Sequence, residues 1–254
     1  MKSPREVLRS PKQPSCRRAP VRCGAAVGMV LPLLAGCVDT PLSTLAPASE
    51  ATRSVAHLWW VMAAGTGVVL LLMLTLAVLA IRRHPPRAPG RRGILVLLVA
   101  GGLILPAATI TALLTFSLRL DEAQWPAFTR TESGEAFHVD VVAHRWWWEF
   151  RYPKLGDEAR TMNEIHVPAG VPVHLRLMSS DVIHAFWVPR VAGKLDAVPG
   201  KVNRLRIQVD EPGRYAGVCA EFCGEGHALM PFTLVAHEKG EMESVLAEIR
   251  ERRP

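Results

Sequence analysis

Hydrophobic and polar residues are distributed along this chain in three ways, and each predicts a different kind of element. Residues 25–34 form a short apolar run behind a basic stretch. Residues 58–81 and 94–118 are longer runs without a charged side chain, each exceeding the roughly 20 residues a helix needs to cross a bilayer core. Pro106 lies inside the second run, where neighbouring helices can compensate the hydrogen bond it removes. From residue 137 onward the pattern changes to short alternating stretches: Val171-Pro-Val-His-Leu-Arg-Leu177 and Arg204-Leu-Arg-Ile-Gln-Val209, with Phe137-His-Val-Asp-Val-Val142 and Pro231-Phe-Thr-Leu-Val235 as further candidates. Pro168-Ala-Gly170, Pro199-Gly200 and Pro212-Gly213 punctuate them. Several short strands with turn signals between them predict an all-β antiparallel sandwich or barrel. Residues 239–253 are charged and helix-prone, which predicts a solvated terminal helix.

The charge distribution orients these pieces. Arg82, Arg83, Arg87, Arg91 and Arg92 crowd the linker between the two long runs, with no acid among them, and the positive-inside rule places that linker in the cytoplasm. Both flanking parts of the chain then lie outside. His57-Leu-Trp59-Trp60 stands at the outer edge of the first run, where interfacial aromatics are expected. The formal net charge of +7 suggests nucleic acid until it is divided. Residues 1–36 hold seven bases against one acid, whereas residues 121–254 hold 16 Lys and Arg against 20 Asp and Glu. The exported part is therefore mildly acidic, nucleic acid is excluded as a partner, and a basic protein is favoured.

The N-terminus reads as a targeting segment, with a basic region, an apolar run and small residues before a candidate cleavage point. Leu34-Ala35-Gly36-Cys37 resembles a bacterial lipobox, which implies cleavage before Cys37 and lipidation of its thiol. The expected organisation is a signal peptide over 1–36 and an extracytoplasmic segment over 37–56. A transmembrane hairpin follows, with helices over 57–82 and 93–119 and a cytoplasmic loop over 83–92. The β-domain occupies 120–240 and a terminal helix or tail 241–254. The localisation expected is a bacterial inner membrane, two-pass, with the C-terminal domain in the periplasm.

Candidate chemistry concentrates in Cys219-Ala-Glu-Phe-Cys223-Gly-Glu-Gly-His227-Ala-Leu-Met230. Two thiolates, an imidazole and a thioether form a soft donor set suited to copper, zinc or iron–sulfur, and the Met favours electron-carrying copper because structural zinc has no need of a thioether. A Cys219–Cys223 disulfide or a zinc clip are the simpler alternatives. A second imidazole is available at His184 in Asp181-Val-Ile-His184-Ala-Phe-Trp-Val-Pro189, where apolar neighbours make an unpaired ring expensive to bury.

Residues 55–240 resemble subunit II of the haem–copper cytochrome c oxidases. Four separated motifs carry the resemblance: Ile104-Leu-Pro-Ala107, Ala143-His-Arg-Trp146-Trp-Trp148, Asp181 to Pro189, and Cys219 to Pro231, with Lys194-Leu-Asp-Ala-Val-Pro-Gly200 a weaker fifth. The resemblance implies a cupredoxin-like sandwich with a dinuclear copper centre. Cys219 and Cys223 would bridge the two metals, His184 and His227 would each terminate one, and Met230 and the Glu221 carbonyl would be weak ligands. It also implies that electrons enter at Trp146, that Asp181 contributes to donor docking, and that the Glu221 carboxylate reaches a Mg²⁺ at the contact with subunit I. The partners would be subunits I and III and a cytochrome c or membrane-bound cytochrome.

The chain departs from the family at Arg151, where an acidic docking residue is common, and at Leu98 and Val99, where many relatives carry a glutamate that begins a proton path. No Cys-x-x-Cys-His follows the copper motif, so no fused c-type haem domain is expected. The copper subunit of a nitric oxide reductase, and a lipoprotein that binds copper or zinc without a catalytic partner, are the alternative functions.

Overall fold

The structure, a computed structural model, describes residues 40–82, 90–124, 137–156 and 159–251. The expected signal segment, the lipidation candidate Cys37 and residues 83–89 of the arginine-rich loop lie outside the described residues. Helix α1 spans Glu50–Arg82, 33 residues or about 50 Å at 1.5 Å per residue. Helix α2 (Arg91–Val96) passes through a π-helical stretch, Leu97–Ile104, into α3 (Leu105–Gln124). There the Leu105 N–H reaches back five residues to the Ala100 carbonyl, just before Pro106, which has no N–H to donate. Both helical stretches are long and apolar enough to cross a membrane, and none of their apolar core is buried.

Helix α1 starts before the apolar run at residue 57, and its first turn explains why. The Ser49 Oγ accepts the Thr52 N–H at 3.1 Å and the Thr52 Oγ1 accepts the Ser49 N–H at 3.3 Å, a reciprocal cap that satisfies two otherwise orphaned donors. The same hydroxyls donate to the β-domain, Ser49 to the Val191 carbonyl at 2.6 Å and Thr52 to the Arg190 carbonyl at 2.9 Å. Ala48 adds backbone bonds to Arg190 and Asp210 (2.7 and 3.1 Å), and Arg53 pairs with Asp210. These contacts hold the segment before α1 against the β-domain.

Among the described residues, ten strands form the β-domain: β1 (Phe137–His144), β2 (Trp147–Arg151), β3 (Arg160–Met162), β4 (Glu164–Pro168), β5 (Val173–Ser179), β6 (His184–Trp187), β7 (Leu195–Ala197), β8 (Asn203–Ile207), β9 (Gly213–Cys219) and β10 (Phe232–His237). They make two five-stranded sheets, β3-β2-β1-β5-β8 and β4-β10-β9-β6-β7, a cupredoxin-like sandwich. Both sheets are mixed, because β1 runs parallel to β5 and β4 runs parallel to β10. This corrects the antiparallel expectation: alternation reports one buried face per strand and carries no information about partner direction.

Alternation does predict which residues meet inside. Val139, Val141, Trp148, Phe150, Leu175 and Leu177 face Ile165, Phe186, Phe232 and Leu234, all essentially buried. Phe232 stacks on Phe186 with ring centroids 4.7 Å apart and lies 5.3 Å from Trp148 and 5.7 Å from Phe150. Gly217 on β9 permits this, since a Cβ there would overlap the Phe232 ring.

The terminal helix α4 (Lys239–Glu251) is not merely solvated. Met242 and Ile249 are buried, and Val245 and Leu246 pack against the core. That i, i+3, i+4, i+7 stripe docks the helix on the sandwich, and the high charge of its other face had hidden it.

Candidate metal centre

Three elements converge at one end of the sandwich. Strand β6 opens with His184, β9 closes with Cys219, and the loop that follows returns Cys223, His227 and Met230 to the same place before β10 begins. His184 is fully buried, and Cys219, Cys223 and Met230 are 8%, 5% and 2% exposed. One ligand atom from each of His184, Cys219 and Cys223 lies within 4.8 Å of the others. The His184 Nδ1 is 3.8 Å from the Cys219 Sγ, and the Cys223 Sγ is 3.6 Å from the His227 Nδ1 and 3.4 Å from the Met230 Sδ. The Cys219 thiol donates to the Glu221 carbonyl at 3.3 Å. The sequence-predicted donors are thus all within one cluster.

The two sulfurs are 3.9 Å apart and both cysteines are free, which disposes of the disulfide alternative, since a disulfide needs about 2.05 Å. At that separation both sulfurs would be available to hold the same metal. Burial, followed by the neighbouring Cys219, pushes the Cys223 thiol up to about 11. Holding the Cys223 sulfur as a thiolate there is therefore costly unless a cation binds it. A soft donor set with two imidazoles and a thioether fits copper.

His184 is oriented from behind. Its Nε2 lies 2.8 Å from the Asp181 Oδ1, which fixes the proton on that nitrogen and leaves Nδ1 aimed at sulfur. Asp181 also accepts the Val182 N–H (2.6 Å) and the Arg145 N–H (2.7 Å). Trp148, fully buried, borders the His184 ring at 6.1 Å between centroids and donates its Nε1–H to the Met230 carbonyl at 3.2 Å.

Trp146 lies over the ligand loop. It is 38% exposed, and its Nε1–H donates to the Cys223 carbonyl at 3.3 Å. A Cβ on Gly226 would overlap the indole, and one on Gly224 would come within 3.3 Å of it. The tryptophan triplet therefore divides: Trp148 is core, Trp147 stacks on His144 at 4.1 Å, and Trp146 is the exposed contact to the site. Gly226 has φ −85°, so alanine there meets no backbone penalty. Gly226→Ala is expected to unseat the indole by steric contact alone and to slow reduction of the loaded centre several-fold with its absorption unchanged, as checked by stopped-flow.

Sequence reading passed over the cluster behind this hairpin. Glu149 is 3% exposed and accepts from Arg151 (2.9 Å) and Arg160 (3.4 Å), with the His144 Nε2 at 3.2 Å. Burial raises the affinity of its carboxyl for a proton, but the bonds from Arg151 and His144 outweigh that and hold it below the usual range. A carboxyl depressed on folding stabilises above its unfolded value and loses that contribution as pH falls through the folded one. Denaturation midpoints measured from pH 7 down to pH 3 should therefore fall less steeply in Glu149→Gln than in the parent chain.

Residues 157–237 match the family described as cytochrome C oxidase subunit II, periplasmic domain. A cytochrome c oxidase subunit 2 from Alkalihalophilus pseudofirmus is 42% identical over 118 residues, 45% of this chain and 34% of its own length. A quinol oxidase subunit 2 from Bacillus cereus is 27% identical over 232 residues, 89% of this chain and 78% of its own. The crystal structure of the periplasmic domain of subunit II of cytochrome oxidase from Bradyrhizobium japonicum is 26% identical, with a TM-score of 0.45 over 48% of this chain and 100% of that one. The chain thus spans about a third of the length of the first of these relatives.

Proposed function

We propose that the β-domain is the periplasmic domain of a cytochrome c oxidase-type subunit II, a reading supported by the match over residues 157–237, and that the chain receives single electrons outside the membrane and passes them to a haem–copper subunit I for oxygen reduction. The observation that carries this reading is the convergence of Cys219, Cys223, His184, His227, Met230 and the Glu221 carbonyl in one cluster, its thiols, thioether and His184 ring buried. Copper held there would supply a one-electron couple shared by two metals. The chain's own part is to keep that couple stiff and dry. Strands β6 and β9 fix His184 and Cys219, Trp148 ties Met230 to the core, and Asp181 prevents His184 from turning. Trp146, hydrogen-bonded to the Cys223 carbonyl, is the port through which a donor's electron reaches the sulfurs.

Glu221 is the candidate for a Mg²⁺ shared with subunit I. Lys194 Nζ stands 3.5 Å from its carboxylate, so a cation there must displace the lysine. Cys37 is the candidate for lipidation, on the outer side of the membrane if the arginine-rich linker is cytoplasmic. Two spans, an outward domain and a lipobox fit a bacterial inner membrane, with subunits I and III as neighbours and a cytochrome c, soluble or membrane-bound, as donor.

The extended similarity to a quinol oxidase subunit 2 supports a second reading, in which quinol is the electron source and no copper is needed here. The complete donor set favours cytochrome c. Mixing the copper-loaded full-length chain with reduced cytochrome c decides between them: bleaching of the copper absorption on a millisecond-to-second scale is expected, with Trp146→Ala slowing it at constant spectrum. Reduction by a quinol but by no cytochrome would contradict the first reading.

A further inference from the structure

The outward face of the sheet β3-β2-β1-β5-β8 carries a charge pattern that the copper chemistry does not use. Arg160, Arg151, Asp140, Arg176 and Arg204 are register neighbours on its five strands, a row about 19 Å long at roughly 4.8 Å per strand. The next row brings His138, His174 and Arg206 side by side. Among the described residues, five bases (Arg151, Arg160, Arg176, Arg204 and Arg206) stand on this face, against two acids, Asp140 and Glu149. The domain is acidic overall but basic here.

Folding alone gives no reason for this. Like charges on adjacent strands oppose sheet formation, yet Arg151 neighbours Arg160 and Arg176 neighbours Arg204. The two acids are already engaged, Asp140 beside Arg176 (3.3 Å) and Glu149 between Arg151 and Arg160. The guanidinium side chains of Arg151, Arg160 and Arg176 remain 46%, 40% and 47% exposed, and Arg204 and Arg206 are exposed with no acidic partner among the described residues. The same face carries His144 and Trp147 next to Trp146. From Asp140 to His144 is four residues of β1, about 13 Å. A standard interface of roughly 800 Å² per partner, about 30 Å across, covers both the row and the port.

We propose that this arginine face docks an electron donor whose own surface is rich in carboxylates, bringing its redox group over Trp146. This rests on the electron-accepting role proposed above. It also reverses the donor charge suggested by the net charge of the domain. Guanidinium forks pair bidentately with carboxylates, and opposed patches accelerate encounter in a salt-dependent way. Arg151, a departure from the family's acidic pattern, is then part of a consistent positive surface.

The test uses the full-length, copper-loaded chain in detergent and two donors that share haem and fold: a lysine-rich cytochrome c and the same protein succinylated on its lysines. At low salt the succinylated donor is expected to reduce the centre about tenfold faster, with the advantage vanishing as salt rises. Arg204→Glu with Arg206→Glu, on an edge strand away from the ligands, is expected to remove most of that advantage at an unchanged copper spectrum. A faster lysine-rich donor, or a ratio that survives the double substitution, would overturn the proposal and leave the face to lipid or another subunit. Failure of both donors to reduce a centre with an intact spectrum would instead sink the electron-accepting role itself, and this proposal with it.

Discussion

Cys223→Ser is expected to abolish the proposed dinuclear copper site while leaving the sandwich folded. The Cys223 Sγ is the most connected donor of the cluster, 3.9 Å from the Cys219 Sγ, 3.6 Å from the His227 Nδ1 and 3.4 Å from the Met230 Sδ. Serine nearly matches cysteine in size, so the 5%-exposed position stays filled. Its hydroxyl is a hard donor that does not ionise near neutral pH, so the second bridge is lost. The copper content of the purified full-length chain should fall to one per chain or less, with the paired-metal absorption absent. The metal-free variant should unfold within about 1 kcal/mol of the metal-free parent, as an ordinary conservative substitution does. Retention of two coppers would mean that Cys223 bridges nothing.

Trp148→Ala should have the largest effect on stability and should loosen the site from beneath. Its ring is fully buried against Phe186 and Phe232. Its backbone N–H donates to the Asn163 Oδ1 (2.8 Å) and its Nε1–H to the Met230 carbonyl. Removing a buried aromatic of this size costs about 3–5 kcal/mol, a large part of the 5–15 kcal/mol that usually separates folded from unfolded chains. A urea midpoint lowered by that free energy divided by the m-value, with the slope itself unchanged, is the expected outcome. Trp148→Phe keeps most of the packing but strands the Met230 carbonyl, a loss of about 1–3 kcal/mol. The phenylalanine variant should hold copper with a shifted potential, which separates the role in the core from the role at the ligand loop.

The sequence and the structure agree where chemistry is local. The ligands from Cys219 to Met230 lie within one loop, and their donor types alone restrict the metal. His184, 35 residues upstream, was legible because an imidazole among apolar neighbours needs a partner. What was not legible depends on contacts between distant positions. Nothing near Gly226 announces that an indole 80 residues earlier in the chain lies on it. Glu149 reads as an ordinary strand carboxylate until β3 brings Arg160 beside it. Asp181 was read as a docking residue, and only the fold shows its oxygen on the His184 ring. The arginine row was invisible because its members come from five strands, and strand order cannot be read from alternation. For the same reason the parallel β1–β5 and β4–β10 pairs were unforeseen. The start of α1 at Glu50 lies outside the apolar run because its cap is polar.

The central claim is that residues 184 to 230 hold two coppers sharing one electron. Copper analysis and electron paramagnetic resonance on the full-length chain, reconstituted under reducing conditions and then oxidised, test it most directly. Two coppers per chain, with a hyperfine pattern from one unpaired spin spread over both, are predicted. One copper with a single-site spectrum, or zinc that binds Cys219 and Cys223 in preference to copper, would contradict it.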